Sequence, residues 1–251
     1  FLASPRIGHL MQALHIFHYL QNHDSSWMPM DPTKLDIEYK GPQKGSPQKH
    51  CEVMKYIYCD AHEEIADNVP EPRVKSAQAN VYVDADHAGN QITRKSQISI
   101  LMFLNMGFIN WFSKQQNTVE SSTFGSEYIA LKIAMEKIIV LCYKLQMMGI
   151  PIIGPCLTYG DNNAVVMNST LPDFVLKKKS NSIAYNFVRE RAARDEWRCR
   201  YIPTDENLSD LCTKPLAFDE KRIKFCQKLL HHIYDTGKHL ARGATRLIGG
   251  I

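Results

Sequence analysis

The chain contains 251 residues, of which 44% are hydrophobic, and it carries a formal net charge of +4 at pH 7. This length allows one large domain, or a medium-sized domain with an appendage, and the hydrophobic fraction is ordinary for a globular protein. No apolar run reaches about 18 residues and no signal peptide is visible, so the composition gives no support for a membrane protein. The chain begins with Phe1 and not with Met, and we therefore expect a fragment of a longer reading frame.

The N-terminal 77 residues are predicted to form an appendage of helix and loop. Residues 9–21 have the apolar spacing of an amphipathic helix. Residues 31–46 are rich in Pro, Gly and Lys and are predicted to be mainly loop. Pro70 and Pro72 indicate a linker over residues 66–76, and the compact domain is expected to begin near Gln78.

Cysteine usage in the chain favours reduced thiols. The seven cysteines show no regular framework of the kind that disulfide-rich domains have. A zinc site is the alternative for one group of four residues, His50, Cys51, Cys59 and His62. Their spacing departs from the usual ligand pairs and part of the group lies in an aromatic run, so buried or incidental side chains are the favoured interpretation.

Three strands are predicted in succession after residue 78. Alternating apolar residues indicate strands at residues 80–85, 96–104 and 108–114. Asn105, Met106 and Gly107 lie between the second and third of these and predict a hairpin. We therefore expect an antiparallel meander.

A long helix should follow, capped by Ser122 or Thr123. Its apolar residues recur in alternating steps of four and three, which predicts a stripe buried against a sheet. Gly149 and Pro151 are expected to end the helix. The stripe consists of Phe124, Tyr128, Leu131, Met135, Ile138, Cys142 and Leu145.

The remaining elements alternate between strand and helix. Strands are predicted at residues 155–160 and 197–202, and helices at residues 162–168, 180–194, 204–211 and 218–234, before a frayed tail. The helix at 180–194 should turn Ile183, Phe187 and Val188 towards the core. Strands that return through helices run parallel, with right-handed crossovers. The predicted fold class is therefore α/β, with a five-stranded mixed sheet of three antiparallel strands and then two parallel ones, flanked by helices.

Four carboxylates stand out because each lies in a distinctive local sequence. Asp84 lies in VYVDADHAGN, Glu127 in SSTFGSEYIALKIA, Asp161 in LTYGDNNAVV and Asp210 in ENLSDLCTKPL. Two strand ends, the first turn of a helix and the start of a later helix can converge at one edge of an α/β sheet. Converging carboxylates repel one another and need cations, and hard oxygen ligands select Mg²⁺ or Mn²⁺.

Each of these acids also has an ordinary structural interpretation. Asp84 can form a strand-end turn, Asp161 an Asx-turn, Glu127 can favour the positive end of its helix, and Asp210 can be a solvated helix residue. Asp86 competes with Asp84 for the same role. Taken singly, each acid is better explained by its structural role, whereas the four distinctive local sequences together favour a shared active site.

Six ordered motifs resemble those of one family. The matching segments are DADHAG, TRKSQIS, INWFSKQQ, STFGSEYIA, GDNNA and SDLCTKPL. In this order they resemble the ribonuclease H domain at the C-terminus of copia-type retrotransposon polyproteins, over residues 81–216. The earlier segment SPRIGHLMQALHIFHYL is similar to the end of the reverse transcriptase of the same polyproteins.

The resemblance implies a ribonuclease H-like fold and a division of the chain into three parts. Residues 1–77 would be the end of the reverse transcriptase with a connecting segment, 78–216 the ribonuclease H-like domain, and 217–251 a C-terminal helix with a flexible tail. The implied activity is hydrolysis of the RNA strand of an RNA–DNA hybrid with two Mg²⁺ or Mn²⁺ ions. Those ions would be held by the catalytic carboxylates Asp84, Glu127, Asp161 and Asp210.

The same resemblance implies partners and a location. The partners would be the RNA–DNA hybrid and the upstream reverse transcriptase and integrase segments of one polyprotein, with no membrane. The location would be the cytoplasm, within a virus-like particle, or the nucleus. Motif positions that could contact the nucleic-acid backbone are Lys95, Ser96, Ser113, Lys114, Gln115 and Asn162. An ordinary surface position is the equal alternative for these residues. Trp111 is interpreted as an aromatic residue of the core or of a groove wall.

A basic segment is the second candidate for binding nucleic acid. Residues 177–200 contain eight basic side chains and three acidic ones, a net charge of +5 that exceeds the charge of the whole chain. A phosphate-tracking surface is favoured over a solvated helix face. The residues expected to contact phosphate are Lys177, Lys178, Lys179, Arg189 and Arg194.

Several positions depart from the family pattern. Ser180 and Asn186 stand where histidines are frequent, Gly125 replaces an acid, and His87 replaces the tryptophan of DADWAG. No departure removes a predicted metal ligand. The sequence is compatible with two functions. The chain could be an active ribonuclease H, or a degenerate or domesticated copy that only binds nucleic acid or serves as a structural module. The chain has no Tyr-x-Asp-Asp polymerase motif, so it is not expected to polymerise DNA.

Overall fold

The computed structural model describes residues 6–22, 26–28, 31–34, 57–58, 62–63, 65, 67–171, 181–214, 216 and 220–232. The chain divides into two compact units, one formed by Phe1–Pro29 with Cys226–Ile251 and the other by Met30–Phe225. The larger unit contains the predicted sheet. The boundaries predicted at residues 77/78 and 216/217 stay predictions.

The smaller unit contains helix α1 (Ile7–Asn22) and a two-stranded antiparallel pairing of β1 (Ser26–Trp27) with β7 (His231–His232). The helix predicted at residues 9–21 is confirmed. Its apolar side chains are not buried, however, since Leu10, Leu14 and Phe17 are each more than half exposed. The periodicity therefore predicted the helix correctly without showing what its apolar side packs against.

The central sheet of the larger unit has five strands, which are β2 (Ala79–Asp86), β3 (Gln97–Leu104), β4 (Gly107–Gln115), β5 (Cys156–Gly160) and β6 (Trp197–Tyr201). Their order in the sheet is β4-β3-β2-β5-β6. The first three strands in sequence pair antiparallel, β2 with β3 and β3 with β4, whereas β5 pairs parallel with both β2 and β6. The five-stranded mixed sheet predicted from the sequence, with three antiparallel strands and then two parallel ones, is confirmed.

Helix α2 (Thr123–Met147) packs one side against the sheet. It begins where predicted, because the Ser122 side chain accepts a hydrogen bond from the backbone N–H of Gly125. The middle of the predicted apolar stripe is completely enclosed, and its two ends are half-buried. The enclosed residues are Tyr128, Leu131, Met135 and Ile138.

Shorter helices complete the larger unit. Helix α3 (Asn163–Thr170) follows β5, α4 (Ser182–Ala193) precedes β6, and α5 (Asp210–Thr213) and α6 (Glu220–Leu229) come later, with α6 reaching past the end of this unit. None of the helices in the described residues is long and apolar enough to cross a membrane.

Two predictions for this region were wrong. The helix predicted at residues 204–211 is replaced by turns and by the single turn of α5. Asn207 explains the difference, because its buried amide donates to the Val83 carbonyl of β2 at 3.1 Å and so ties this segment to the sheet. Ile183, predicted to face the core, is 80% exposed, because Ala184 and Val188 form the buried side of α4.

Candidate active site

Three of the four predicted carboxylates come together at one edge of the sheet. Asp84 lies near the carboxyl end of β2, Asp161 directly follows β5, and β2 and β5 are parallel neighbours. Glu127 reaches the same point from α2. One oxygen of each residue lies within 4.8 Å of the others, so the three could hold a metal ion. Glu127 is the fifth residue of α2, one position past the first turn in which it was predicted.

Asp84 is anchored by two neighbours from the end of α5. Its Oδ2 accepts a hydrogen bond from the Thr213 hydroxyl, and the Lys214 ammonium lies 3.5 Å from the same oxygen. Burial raises the pKa of Asp84 to about 6, although Thr213 and Lys214 oppose that rise. Asp161 and Asp210 add to it by charge repulsion.

Among the carboxyl groups of the site, that of Glu127 has the pKa that lies furthest from its ordinary value. Burial raises the pKa of Glu127 to about 8, and Asp161 and Asp84 contribute by repulsion. A small pocket beside Glu127 has apolar walls that include Leu131 and Val165, which accounts for the poor solvation of the carboxylate. A divalent cation would relieve both the desolvation and the repulsion, so the donor set fits Mg²⁺ or Mn²⁺.

Asn162 connects Glu127 to helix α3. Its side-chain oxygen accepts from the backbone N–H groups of Ala164 and Val165, which caps the helix. A side-chain hydrogen bond from Asn162 lowers the pKa of Glu127 and partly offsets its burial. The Asx-turn considered for Asp161 is therefore made by Asn162, and the Asp161 carboxylate lies with those of Asp84 and Glu127.

Asp210 lies beside Asp84, but both of its oxygens are occupied. Lys214 Nζ is 2.6 Å from Oδ1 and Lys221 Nζ is 2.5 Å from Oδ2, and the Asp210 side chain is fully buried. Burial alone would raise the pKa of Asp210, but the hydrogen bonds from Lys214 and Lys221 outweigh it and hold the pKa below its usual value. Neither lysine was predicted to have a role at this site. Lys214 lies in the SDLCTKPL motif, four residues after Asp210, and that spacing was the available signal.

Asp86, the competitor of Asp84, points elsewhere. Its carboxylate packs over Gly89, where an added Cβ would lie 1.6 Å from Asp86 Oδ2. Asp86 is also absent from the metal-capable group among the described residues. Its side chain is therefore part of the turn that follows β2.

Ser96 was predicted to contact nucleic acid, and the structure places it inside the protein. It is 1% exposed, its hydroxyl accepts from the Ala88 backbone N–H, and it donates to Ser126 Oγ at 3.0 Å. His87 Nδ1 lies 2.8 Å from the same Ser126 oxygen. This network joins the turn after β2 to the start of α2, and Ser96 has no surface to offer a ligand.

Arg189 was also predicted to contact phosphate, and its side chain is buried. One guanidinium nitrogen donates to the carbonyl oxygens of Asn168 and Leu171 at 3.2 and 2.9 Å, and the group lies 4.9 Å from the Tyr185 ring. Because only 4% of Arg189 is exposed, it joins α3 to α4 and does not form a binding surface.

Arg194 is held by acids of its own segment. It lies 2.7 Å from Glu190 and 3.9 Å from Glu196. Arg191 pairs with Glu196 and Arg198 with Asp195, each at 2.9 Å. Within the described part of the segment, five arginines and these three acids leave a net charge of +2, and the three acids pair with Arg191, Arg194 and Arg198. Lys177, Lys178 and Lys179 lie outside the described residues.

The other predicted contact positions lie at the edge that carries the acids. Gln97 of β3 is paired with both Asp86 of β2 and Gln115 of β4, so Lys95, Lys114 and Gln115 lie at this end of the sheet. Lys114 is exposed and Lys95 and Gln115 are half-exposed. Ser113 donates to the Cys212 carbonyl at 3.1 Å and so fastens α5 to the sheet.

Trp111 departs from its interpretation as a core aromatic. It is 60% exposed, and its ring stacks on Phe108 with the centroids 6.3 Å apart. The hypothesis of a groove-wall position stays a prediction.

The departures from the family pattern can be located in part. The Asn186 amide donates to the Ser182 carbonyl within α4, and Glu120 Oε2 lies 2.6 Å from where a Cβ on Gly125 would be. Ser180 lies outside the described residues, as do His50, Cys51 and Cys59 of the alternative zinc site.

The known proteins to which this chain is similar include transposon polyproteins. No family model matches the chain. The chain is 29% identical over 138 residues to the retrovirus-related Pol polyprotein from transposon RE1 of Arabidopsis thaliana, which covers 55% of this chain and 9% of that protein. It is 30% identical over 149 residues to the corresponding polyprotein from transposon TNT 1-94 of Nicotiana tabacum, covering 59% of this chain and 11% of that protein.

This chain is a relative of transposon Pol polyproteins. The resemblance predicted from the motifs is thereby confirmed, and the chain spans about a tenth of the length of these relatives. Among solved structures, LC11-RNase H1 in complex with an RNA/DNA hybrid is similar over 54% of this chain and 93% of that chain, with 16% identity and a TM-score of 0.43.

Proposed function

We propose that the chain is a retrotransposon ribonuclease H that hydrolyses the RNA strand of RNA–DNA hybrids in a metal-dependent reaction. The observation that carries the proposal is the convergence of Asp84, Glu127 and Asp161 from three elements, with ligand oxygens within 4.8 Å of one another. The relationship to Pol polyproteins supports it.

The chain's own residues would prepare the site in three ways. Asp84, Glu127 and Asp161 would hold the cations, and Asp210 would complete the set for the second of two Mg²⁺ or Mn²⁺ ions. Such ions lower the pKa of an attacking water and stabilise the leaving oxygen. Thr213 donates a hydrogen bond to Asp84, and Asn162 favours the ionised form of Glu127. Since burial raises the pKa of Glu127 to about 8, cation binding should release a proton from this carboxyl near neutral pH.

Lys95, Lys114, Gln115 and the segment of Lys177, Lys178 and Lys179 are the proposed contacts to the hybrid. Those that the structure describes lie at the sheet edge next to the acids. Recognition would depend on duplex shape and 2′-hydroxyl groups, because such contacts carry little base information. Asn162 would act through Glu127 and not through the hybrid.

The proposed context is a polyprotein in which reverse transcriptase and integrase segments accompany this one. The proposed location is a cytoplasmic particle or the nucleus. Degradation of the RNA template during reverse transcription would be the biological role.

The decisive experiment is a cleavage assay on the purified chain with Mg²⁺ and labelled RNA–DNA hybrid, single-stranded RNA and duplex DNA. We expect cleavage of the RNA strand in the hybrid alone. Asp84→Asn, Glu127→Gln and Asp161→Asn should each lower the rate by roughly a hundredfold or more, the scale of losing one preorganised electrostatic group. Asp86→Asn is the matched control, because it changes a neighbouring acid outside the group, and it should retain most activity.

Two results would overturn the proposal. Cleavage that survives Asp84→Asn or excess chelator would exclude the metal-dependent mechanism. Hybrid binding without any cleavage would instead identify the chain as a nucleic-acid-binding module.

A further inference from the structure

Lys214 and Lys221 place positive charge among the carboxylates of the site. Lys214 Nζ lies 2.6 Å from Asp210 Oδ1 and 3.5 Å from Asp84 Oδ2, so one ammonium group bridges two carboxylates. Lys221 contacts the other Asp210 oxygen at 2.5 Å. Lys214 is therefore located on the side of Asp84 where a cation shared by Asp84 and Asp210 would bind.

The charges in the site show what this arrangement does. Four ionised carboxylates and two ammonium groups leave a net charge of −2, which one divalent cation balances. Without the lysines the net charge would be −4, which two divalent cations would balance. Because charges interact strongly in a poorly solvated site, each ammonium group should weaken the binding of a nearby cation.

We propose that Lys214 is a built-in cation that competes with a second divalent ion for Asp84 and Asp210. The inference rests on the proposed function, since it concerns the same metal-binding residues. One ion binds at Asp84, Glu127 and Asp161, of which Asp84 alone lies within ion-pair distance of Lys214 among the described contacts. A second ion binds only when Lys214 leaves. Lys214 thereby sets the metal concentration at which the second ion is taken up.

The surroundings of Lys214 allow this exchange. Its side chain is 41% exposed, whereas the carboxylates that it bridges are 3% and 0% exposed. A long, flexible lysine with one end in solvent can swing away, while Asp84 stays fixed through Thr213 and Asp210 keeps Lys221 as a partner. The exchange therefore needs no movement of the backbone.

Metal binding itself tests the proposal. Mn²⁺ binding can be followed by the electron paramagnetic resonance signal of the free ion in the wild type and in Lys214→Met. We expect the wild type to bind one ion tightly and a second weakly, and Lys214→Met to bind the second about tenfold more tightly or better. Lys214→Arg keeps the charge and should behave like the wild type.

Lys132→Met is the matched control. Lys132 also forms an ion pair with a residue four positions away, Glu136 at 2.7 Å, but its ammonium group lies over the Phe187 ring of α4 and not at the carboxylates of the site. Its loss should leave both binding steps unchanged. Circular dichroism would establish that each variant is folded.

A second measurement needs no substitution. The rate at which an amine-reactive reagent modifies Lys214 in the wild type, followed by peptide mass spectrometry, should rise when Mn²⁺ reaches the level that fills the second site. Equal Mn²⁺ binding by the wild type and Lys214→Met, or an unchanged labelling rate, would overturn the competition. Failure of every variant to bind Mn²⁺ would overturn the proposed function and this inference together.

Discussion

Single side chains in this site serve both the fold and the chemistry. Asn162 caps α3 through its side-chain oxygen and hydrogen-bonds to Glu127 as well. Thr213 ends α5 and holds Asp84. Because one residue performs two tasks, a single substitution can separate them if it preserves one and removes the other.

Asn162 provides the first prediction. Asn162→Asp keeps the acceptor that caps α3, so we expect stability near that of the wild type, whereas Asn162→Ala should lose about 1 kcal/mol. Both variants lose the hydrogen bond to Glu127, so both should raise the pKa of Glu127 further, and the added carboxylate of Asn162→Asp should raise it more. Urea unfolding and carbon NMR titration of the Glu127 carboxyl would measure the two effects. Equal destabilisation by both substitutions would contradict the capping role.

The positions of individual acids were predictable and those of their partners were so only in part. Asp84, Glu127 and Asp161 could be predicted because strand ends and helix starts in a known order define where such side chains lie. Lys221 reaches Asp210 through tertiary packing, which the local sequence does not encode. Lys214 lies four residues after Asp210, so its contact could have been predicted from that spacing. A count of charges likewise could not show that Arg189 is buried.

At the scale of elements, long periodic segments decided most of the fold. The three antiparallel strands and α2 follow from alternation and from a helical stripe over many residues. The segment at residues 204–211 has no such repeat, and the buried hydrogen bond from Asn207 to Val83 overrode its helical tendency. Short segments thus depend on contacts with distant residues, which explains why their prediction failed.

The buried stripe of α2 provides the second prediction. Leu131 is fully buried one turn beyond Glu127, and Leu131→Ala should cost about 3 kcal/mol because it leaves a cavity against the sheet. Val140→Ala is the control on the same helix, where the side chain is 51% exposed, and it should cost less than about 1 kcal/mol. Urea unfolding measures both. Similar losses at the two positions would show that α2 does not pack as described.

For the whole molecule, the distribution of charge predicts how a hybrid would bind. The arginines of residues 189–198 are buried or paired, so the described lysines at the sheet edge are better candidates. Lys95 and Lys114 lie at that edge, and Lys132 lies on α2 in an ion pair with Glu136. Binding through phosphates depends on counterion release and therefore on salt.

This distribution gives the third prediction. The double substitution Lys95→Ala with Lys114→Ala should weaken hybrid binding on unrelated sequences alike, and each lost contact should flatten the log–log salt dependence by about 0.9, taking a B-form duplex as reference. Fluorescence anisotropy over a salt series measures both quantities. Lys132→Ala should change neither, and an unchanged salt dependence in the double variant would remove these lysines from the interface.

Because pKa values in the site are shifted in opposite directions, the stability of the metal-free protein should fall both in acid and towards alkaline pH. The pKa values of Asp84 and Glu127 are raised to about 6 and about 8, and that of Asp210 is lowered. The stability associated with protonated Asp84 and Glu127 is present below their ordinary pKa values and is lost as the pH rises through about 6 and about 8. The stability from ionised Asp210 is lost in acid, as the pH falls through its lowered pKa.

The last prediction follows from the upper end of this profile. In chelator, the free energy of unfolding should fall as the pH rises from about 5 to about 9, by at most about 1.4 kcal/mol per pH unit for each proton involved. Mg²⁺ should offset the fall, because it binds the ionised carboxylates, and its stabilising effect should therefore grow with pH. Glu127→Gln cannot ionise, so it should remove the part of the fall near pH 8 and weaken the response to Mg²⁺. Urea unfolding over this pH range, with and without Mg²⁺, measures each effect. A Mg²⁺ effect that is independent of pH, or a profile that Glu127→Gln leaves unchanged, would show that Glu127 does not couple proton release to metal binding.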